Sequence, residues 1–208
     1  MGLGAIVVKR GEAYARRMGT LSYTTAMSLD GYIADASGDF QWVAPNVEIF
    51  RHHIDRISSM TAEILGRKTY ELMKYWEEEP PGENWGDDER EFARLWRKVK
   101  LYVASSSMEE TAISTADTEL IRKLDLERVK QIVADAPGEV EIFGPTTAAD
   151  AIRAGLVSDI RFFIAPILMG GGLAALPRGM RLNLELVEEK RFSDGTVFVH
   201  YKNQHKGN

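Results

Sequence analysis

The segment Ala62-Glu63-Ile64-Leu65-Gly66-Arg67-Lys68-Thr69-Tyr70-Glu71-Leu72-Met73-Lys74-Tyr75-Trp76 joins two different periodicities at one glycine. Ala62 to Leu65 is a short apolar run of strand length. Arg67 to Trp76 then reads as a helix, with Tyr70, Leu72 and Met73 available for packing. A strand that ends in glycine and opens directly into a helix is the repeating unit of α/β architecture.

The same unit recurs on both sides. Leu21 to Leu29 is an apolar, Thr-rich run ending at Asp30-Gly31, a strand followed by a turn. Val47, Phe50, Ile54 and Ile57 fall at helical spacing, with Asn46 placed as the N-cap. Glu77 to Asp88 holds Pro80, Pro81 and two glycines and reads as a surface loop. Phe92, Leu95, Trp96 and Val99 predict a helix running into a strand near Leu101 to Ser105. Thr118 to Arg122 fits strand and helix equally. Asp125 caps a helix to about Ala136. Val140 to Phe143 is a strand, Thr146 to Ala154 a helix closed by Gly155, and Ile160 to Leu168 a strand followed by Gly170-Gly171-Gly172. Leu182 to Val187 and Thr196 to Tyr201 are two final strands around Ser193-Asp194-Gly195. This alternation predicts a largely parallel sheet covered on both faces, with an antiparallel pair at its end.

Composition sets the outer limits. The chain has 208 residues, 44% of them apolar and 27% charged, a globular balance that suits one moderate domain. With no cysteine there is no disulfide, thiolate nucleophile or thiolate metal site. Lys and Arg total 26 against 31 Asp and Glu, leaving −5, which disfavours a nucleic-acid backbone as partner. No apolar run approaches the roughly 20 residues of a membrane-spanning helix, and no secretory apolar core is present, so the expected location is the cytoplasm. Patterning begins only at Leu21, and Met18 offers an alternative start. Residues 1–19 are therefore expected to be a flexible extension, 20–203 the folded domain and 204–208 a tail.

Several chemistries are absent from the motifs. There is no G-x-S-x-G elbow and no G-x-x-x-x-G-K-[ST] loop. His52 and His53 are neighbours, about 100° apart on a helix, so they do not form an i, i+4 metal pair and read as exposed helix residues. No metal site is expected.

Three junctions carry more. Leu65-Gly66-Arg67-Lys68-Thr69 and Phe143-Gly144-Pro145-Thr146-Thr147 each leave a strand and open a helix, and Val103-Ala104-Ser105-Ser106-Ser107 leaves a strand into hydroxyl residues. In a parallel sheet these carboxyl ends share one edge, where ligands bind. Helix N-termini offer free N–H groups to an anion, and Arg67 and Lys68 add charge. Each junction alone is more often only a turn; three together favour an extended phosphate-bearing ligand such as a dinucleotide.

Ala26-Met27-Ser28-Leu29-Asp30-Gly31-Tyr32-Ile33-Ala34, Phe40-Gln41-Trp42 and Gly66-Arg67-Lys68-Thr69-Tyr70-Glu71 together resemble the dihydrofolate reductase-like superfamily. Ala154-Gly155-Leu156-Val157-Ser158-Asp159 followed by Ala165-Pro166-Ile167-Leu168-Met169-Gly170-Gly171-Gly172 brings the resemblance closest to the reductase domain of riboflavin-pathway deaminase-reductases and their stand-alone relatives. It covers about Leu21 to Tyr201. The resemblance implies a three-layer α/β sandwich and hydride transfer from NADPH. Carried over by position, Ala26, Ile33 and Ala34 would frame the nicotinamide. Gly66, Arg67, Lys68 and Thr69 would meet phosphates, Ser105 and Ser106 the adenosine ribose, and Gly144, Pro145, Thr146 and Thr147 the pyrophosphate.

Asp30 is the candidate catalytic carboxylate, at the end of the first strand, where Asp-Gly also serves as a turn pair. Tyr32, Trp42, Glu48 and Phe50 are candidate substrate contacts, and Trp76 is a further aromatic that could line the pocket or pack in the core. Two departures stand out. The related riboflavin-pathway enzymes carry a short basic segment after the G-R-K-T helix, whereas here Glu77 to Glu91 is long and acidic. Related folds join two glycines by a cis bond where this chain has Gly144-Pro145, and a proline there predicts a cis peptide at lower cost. The expected function is an NADPH-dependent reductase of a small heterocycle. The alternatives are the riboflavin-pathway 5-amino-6-(5-phosphoribosylamino)uracil reductase and a non-catalytic nucleotide-binding sensor or scaffold. Phe162, Phe163, Ile164, Phe198, Val199 and Tyr201 exceed what an edge hairpin needs to bury, so a homodimer is expected.

Overall fold

The computed structural model describes residues 19–204; of the expected extension and tail, only Gly19 and Gln204 fall within it. The elements in chain order are β1 (Thr20–Ser28), β2 (Tyr32–Ala34), α1 (Val47–Ile57), β3 (Met60–Gly66), α2 (Arg67–Met73), α3 (Asp87–Trp96), β4 (Lys100–Ala104), β5 (Thr118–Ile121), α4 (Leu126–Asp135), β6 (Glu139–Phe143), α5 (Pro145–Arg153), β7 (Asp159–Ala165), β8 (Leu173–Ala174), β9 (Leu184–Arg191) and β10 (Val197–Asn203). Single 3-10 turns lie at Gln41–Val43, Lys74–Trp76 and Glu110–Ala112.

An eight-stranded sheet runs β5-β4-β3-β6-β1-β7-β10-β9. The pairings from β5 through β7 are all parallel, and β10 turns antiparallel against β7 and β9. Strand alternation sends one residue set to each face. On one face Leu21, Tyr23, Ile64, Tyr102, Val140, Ile142 and Ile160 pack with Val129 and Ile132 of α4 and Ala148, Ala151 and Ile152 of α5. On the other, Leu65, Leu101 and Val103 pack with Ile57, Tyr70, Phe92 and Trp96. The result is the expected three-layer α/β sandwich.

Local signals placed the helices where expected. Asn46 accepts the Ile49 N–H at 2.9 Å and Asp125 the Arg128 N–H at 2.9 Å, so both predicted caps form. The ambiguous Thr118 segment is a strand because it hydrogen-bonds beside β4. Other boundaries moved. The loop read through Asp88 ends earlier, since α3 begins at Asp87 once the Glu89 carboxylate accepts the Gly86 N–H. The strand read to Leu168 stops at Ala165, ahead of Pro166, which lacks the N–H a ladder needs. No cis peptide occurs among the described residues, so Gly144–Pro145 is trans. Gly144 makes the turn itself with φ of 93°, and Pro145 takes the first helical position, where its missing N–H costs nothing. The two-stranded β2–β8 ribbon was not foreseen.

A polar layer lies buried beneath α1. Glu63 and Glu141 are register partners on β3 and β6. Arg56 of α1 pairs with Glu141, and the Trp96 indole donates to Glu63 at 3.2 Å. Arg161 holds Glu139 in a two-point ion pair at 2.6 and 3.1 Å. His52 and His53, read as exposed from sequence, instead turn onto the aromatic cluster of Phe163, Phe192 and Phe198. Burial pulls the His53 pKa down to about 3, so the ring packs neutral. Among the described residues no helix is long and apolar enough to cross a membrane, and no three His, Asp or Glu side chains group to hold a metal.

Candidate functional site

The carboxyl ends of β1, β3, β4, β6 and β7 share one edge, because those strands are mutually parallel. At its centre the β3–α2 and β6–α5 turns interlock. A Cβ on Gly66 would lie 2.6 Å from Thr147 Oγ1, and one on Gly144 3.3 Å from Thr69 Oγ1. Gly66 is glycine because α5 places the Thr147 hydroxyl against it, and Gly144 because its φ of +93° disfavours any other residue. Two helix starts thus stand together with first-turn N–H groups that no intrahelical carbonyl can accept. Arg67 makes only a loose 3.4 Å pair with Glu71, and Lys68 is exposed. The paired helix starts and these two cationic side chains form a cradle that suits an anion.

Beside the cradle, a 180 Å³ cleft is lined by Ala104, Leu124, Asp125, Leu126, Val129, Thr146, Thr147, Asp150 and Ala151. Thr146 and Thr147 thereby connect the cradle to the end of β4. Ser105 follows Ala104, and its hydroxyl accepts the Met108 N–H at 3.0 Å; Ser106 is exposed.

At the other end of the edge, Ala26 packs with Ile49, Phe163, Phe192 and Phe198. Ile33 and Ala34 lie on β2, which pairs with β8. Gly172 closes this corner: a Cβ there would come 2.1 Å from the Ala34 carbonyl oxygen, and its φ is +123°. The predicted catalytic carboxylate, Asp30, joins the two loops. It accepts from Ser28 Oγ at 2.6 Å, Met169 N at 3.0 Å and Gly170 N at 2.7 Å. These donors, the Ser28 hydroxyl foremost, hold its pKa down at about 2. Asp30 is therefore an ionised clamp at neutral pH rather than a stored proton.

The four candidate substrate contacts do not converge. Phe50 stacks on Trp76 with centroids 5.8 Å apart and a 28° interplanar angle. Both line an 860 Å³ cleft between the N-terminal ends of α1 and α3, with Tyr75, Gln41, Pro45 and Asp87 to Glu89. Glu48 faces a separate 560 Å³ cleft on the opposite flank of α1. There it accepts from Ser193 N at 3.1 Å and Ser193 Oγ at 3.0 Å, which lowers its pKa and ties α1 to the β9–β10 turn. Trp42 donates to the Asp39 carbonyl at 3.1 Å, Tyr32 stands on the β2–β8 ribbon, and neither lines either cleft. Of the sequence candidates, Phe50 and Trp76 share the larger cleft. Tyr75 and the start of α3 were missed, although Tyr75-Trp76 in tandem was a visible signal.

Residues 20–198 match the family model of the RibD C-terminal domain. No curated protein sequence matches. Solved structures share the fold. A protein from Shewanella sp. PV-4 assigned to riboflavin biosynthesis is 21% identical, with 89% of this chain and 99% of that one covered at a TM-score of 0.65. RibD from Acinetobacter baumannii is 15% identical, with 90% of this chain covered at a TM-score of 0.65. This chain spans only 58% of that protein's length. Dihydrofolate reductase from Enterococcus faecalis, complexed with NADP(H), is 14% identical, covering 90% and 98% at a TM-score of 0.59. At these identities the likeness is one of fold.

Proposed function

We propose that this chain, which belongs to the RibD C-terminal domain family, is a reductase that uses NADPH to reduce a small planar heterocycle. The observation that carries the reading is the pair of interlocked turns at the sheet edge. Gly66 lets the Thr147 hydroxyl close over its turn, and Gly144 comes within 3.3 Å of Thr69 Oγ1, which brings two helix starts together beside the Arg67 and Lys68 side chains. A diphosphate fits such a cradle. The NADP(H) complex of the fold relative from E. faecalis supports the same choice of cofactor.

The residues divide the work as follows. Gly66, Arg67, Lys68 and Thr69 would hold phosphate from one side, and Gly144, Pro145, Thr146 and Thr147 from the other. Ser105 and Ser106, which follow the cleft-lining Ala104, would meet the ribose. Ala26, Ile33 and Ala34 would bound the nicotinamide, with Gly172 and the Asp30 clamp keeping that corner closed. When bound, NADPH supplies the hydride. Asp30, being ionised, would hold the β1–β2 and β7–β8 loops together; it does not donate the proton. Phe50, Tyr75 and Trp76 would wall the substrate.

Calorimetric titration tests the cofactor reading. A 2′-phosphate on Arg67 and Lys68 gains charge-assisted hydrogen bonds of about 1.5–3 kcal/mol each. NADPH should therefore bind roughly tenfold or more tighter than NADH. Equal affinities would remove the 2′-phosphate assignment, and no binding at all would remove the reading. Binding without loss of NADPH absorbance across pyrimidine and pterin substrates would instead favour the sensor or scaffold.

A further inference from the structure

The 860 Å³ cleft carries chemistry that the family assignment does not explain. Three aromatic residues, Phe50, Tyr75 and Trp76, line it. Phe50 and Trp76 stack, and Trp76 is wedged against Trp85 at 5.5 Å and Phe92 at 4.7 Å, so the indole is held in place. Tyr75 is fixed through its hydroxyl, which accepts from Trp85 Nε1 at 2.8 Å and donates to Glu83. Pre-positioned rings of this kind bind flat aromatic groups and attract cations through their faces.

The charges at the cleft are acidic but for one. Asp87, Asp88 and Glu89 line it, and Arg51 is the one basic lining residue. Arg51 is already held by Asp88 at 2.8 Å. The segment from Glu77 to Glu91 that borders the cleft carries eight acidic residues and one basic residue. Two helix N-termini open here, and on their own they would draw an anion. Both are answered from within the chain: Asn46 accepts from Ile49 N at the start of α1, and Glu89 accepts from Gly86 N at the start of α3. A phosphate monoester, carrying about −1.5 to −2 at neutral pH, would meet carboxylates without a free cationic partner.

We propose that this cleft takes a planar aromatic cation, an aminated or N-alkylated heteroaromatic ring, and rejects rings that carry a phosphate. The proposal rests on the reductase reading only in calling that ring the substrate. The selectivity of the cleft stands or falls separately.

The test is calorimetry on the whole chain without cofactor. The probes are 1-methylquinolinium and quinolin-8-yl phosphate, which share a ring system and differ in charge. The cation should bind at least tenfold tighter than the phosphate, and added salt should narrow the gap. Trp76→Leu should weaken the cation by tenfold or more. If that variant does not fold, Asp88→Asn at the exposed rim serves instead. By releasing Arg51 it should weaken the cation several-fold and strengthen the phosphate. The proposal is overturned if the phosphate binds as tightly as the cation, if neither probe binds, or if Asp88→Asn changes neither affinity. Failure of NADPH to bind while the cation preference holds would remove the reductase reading and leave the cleft assignment intact.

Discussion

Glu63→Gln should make the protein more stable at pH 8 and change its stability by less than about 1 kcal/mol at pH 5. Glu63 is 2% exposed, and its register partner across β3 and β6 is a second carboxylate, Glu141. Burial, and then the charge of Glu141, raise the Glu63 pKa from 4.5 to about 7. The sign follows from proton counting. Between pH 4.5 and 7 the folded chain keeps a proton that the unfolded chain releases, so stability falls as pH rises through that window. Below it both states are protonated and no penalty exists. Above it the penalty is complete. A shift of this size corresponds to about 3 kcal/mol, at 1.36 kcal/mol per pH unit. Glutamine copies the protonated acid: it keeps an oxygen for the Trp96 indole and carries N–H donors toward Glu141. Urea unfolding midpoints for both proteins, measured from pH 5 to 9, give the difference directly and cancel the titration of other groups. The gap should open between pH 5 and 7 and reach about 3 kcal/mol by pH 8. A pH-independent gap would refute the buried-proton reasoning, and a less stable variant at pH 8 would show that the ionised carboxylate is needed.

Asp30→Asn removes an ionised acceptor from three donors, so the Met169 and Gly170 amides should exchange hydrogen faster. Because the Asp30 pKa is depressed, its clamp is present above about pH 4 and is lost only as pH falls through about 2. Turnover of the variant should drop while the apparent pKa values of its rate profile between pH 5 and 9 stay in place; a lost pKa in that range would restore Asp30 as the proton carrier. Gly172→Ala meets the Ala34 carbonyl at 2.1 Å with φ of +123°, and should cost roughly 3 kcal/mol or more, about 6–12 °C in melting temperature; an unchanged melting temperature would show that the corner is open. Phe162, Phe163 and Phe198 are consumed inside the chain, but all of edge strand β9 is exposed, including Leu184, Leu186 and Val187. Sedimentation at micromolar concentration is therefore expected to give twice the 23.3 kDa chain mass, and a single-chain mass would remove the homodimer.

Local chemistry was legible before any coordinates. The strand–glycine–helix junction at Gly66, the caps at Asn46 and Asp125, and the helical spacing of Val47 to Ile57 each depend on residues within a turn or two of one another. Such patterns determine which elements form and which side of each is apolar, and their alternation is enough for a parallel sheet with helices on both faces. What the spacing does not encode is which strands become neighbours. That is settled when the helices pack and β6 inserts between β1 and β3. Only then does Glu141 face Glu63, Thr147 cover Gly66 and Met169 reach Asp30, contacts whose partners are 78, 81 and 139 positions apart in the chain. Phe50 and Glu48 show the same limit at short range. Two positions apart on α1, they point about 200° apart, so one enters the aromatic cleft and the other ties down the β9–β10 turn. Helical geometry alone separates them; which side holds the cleft is decided by α3, packed against α1 from a distant part of the chain.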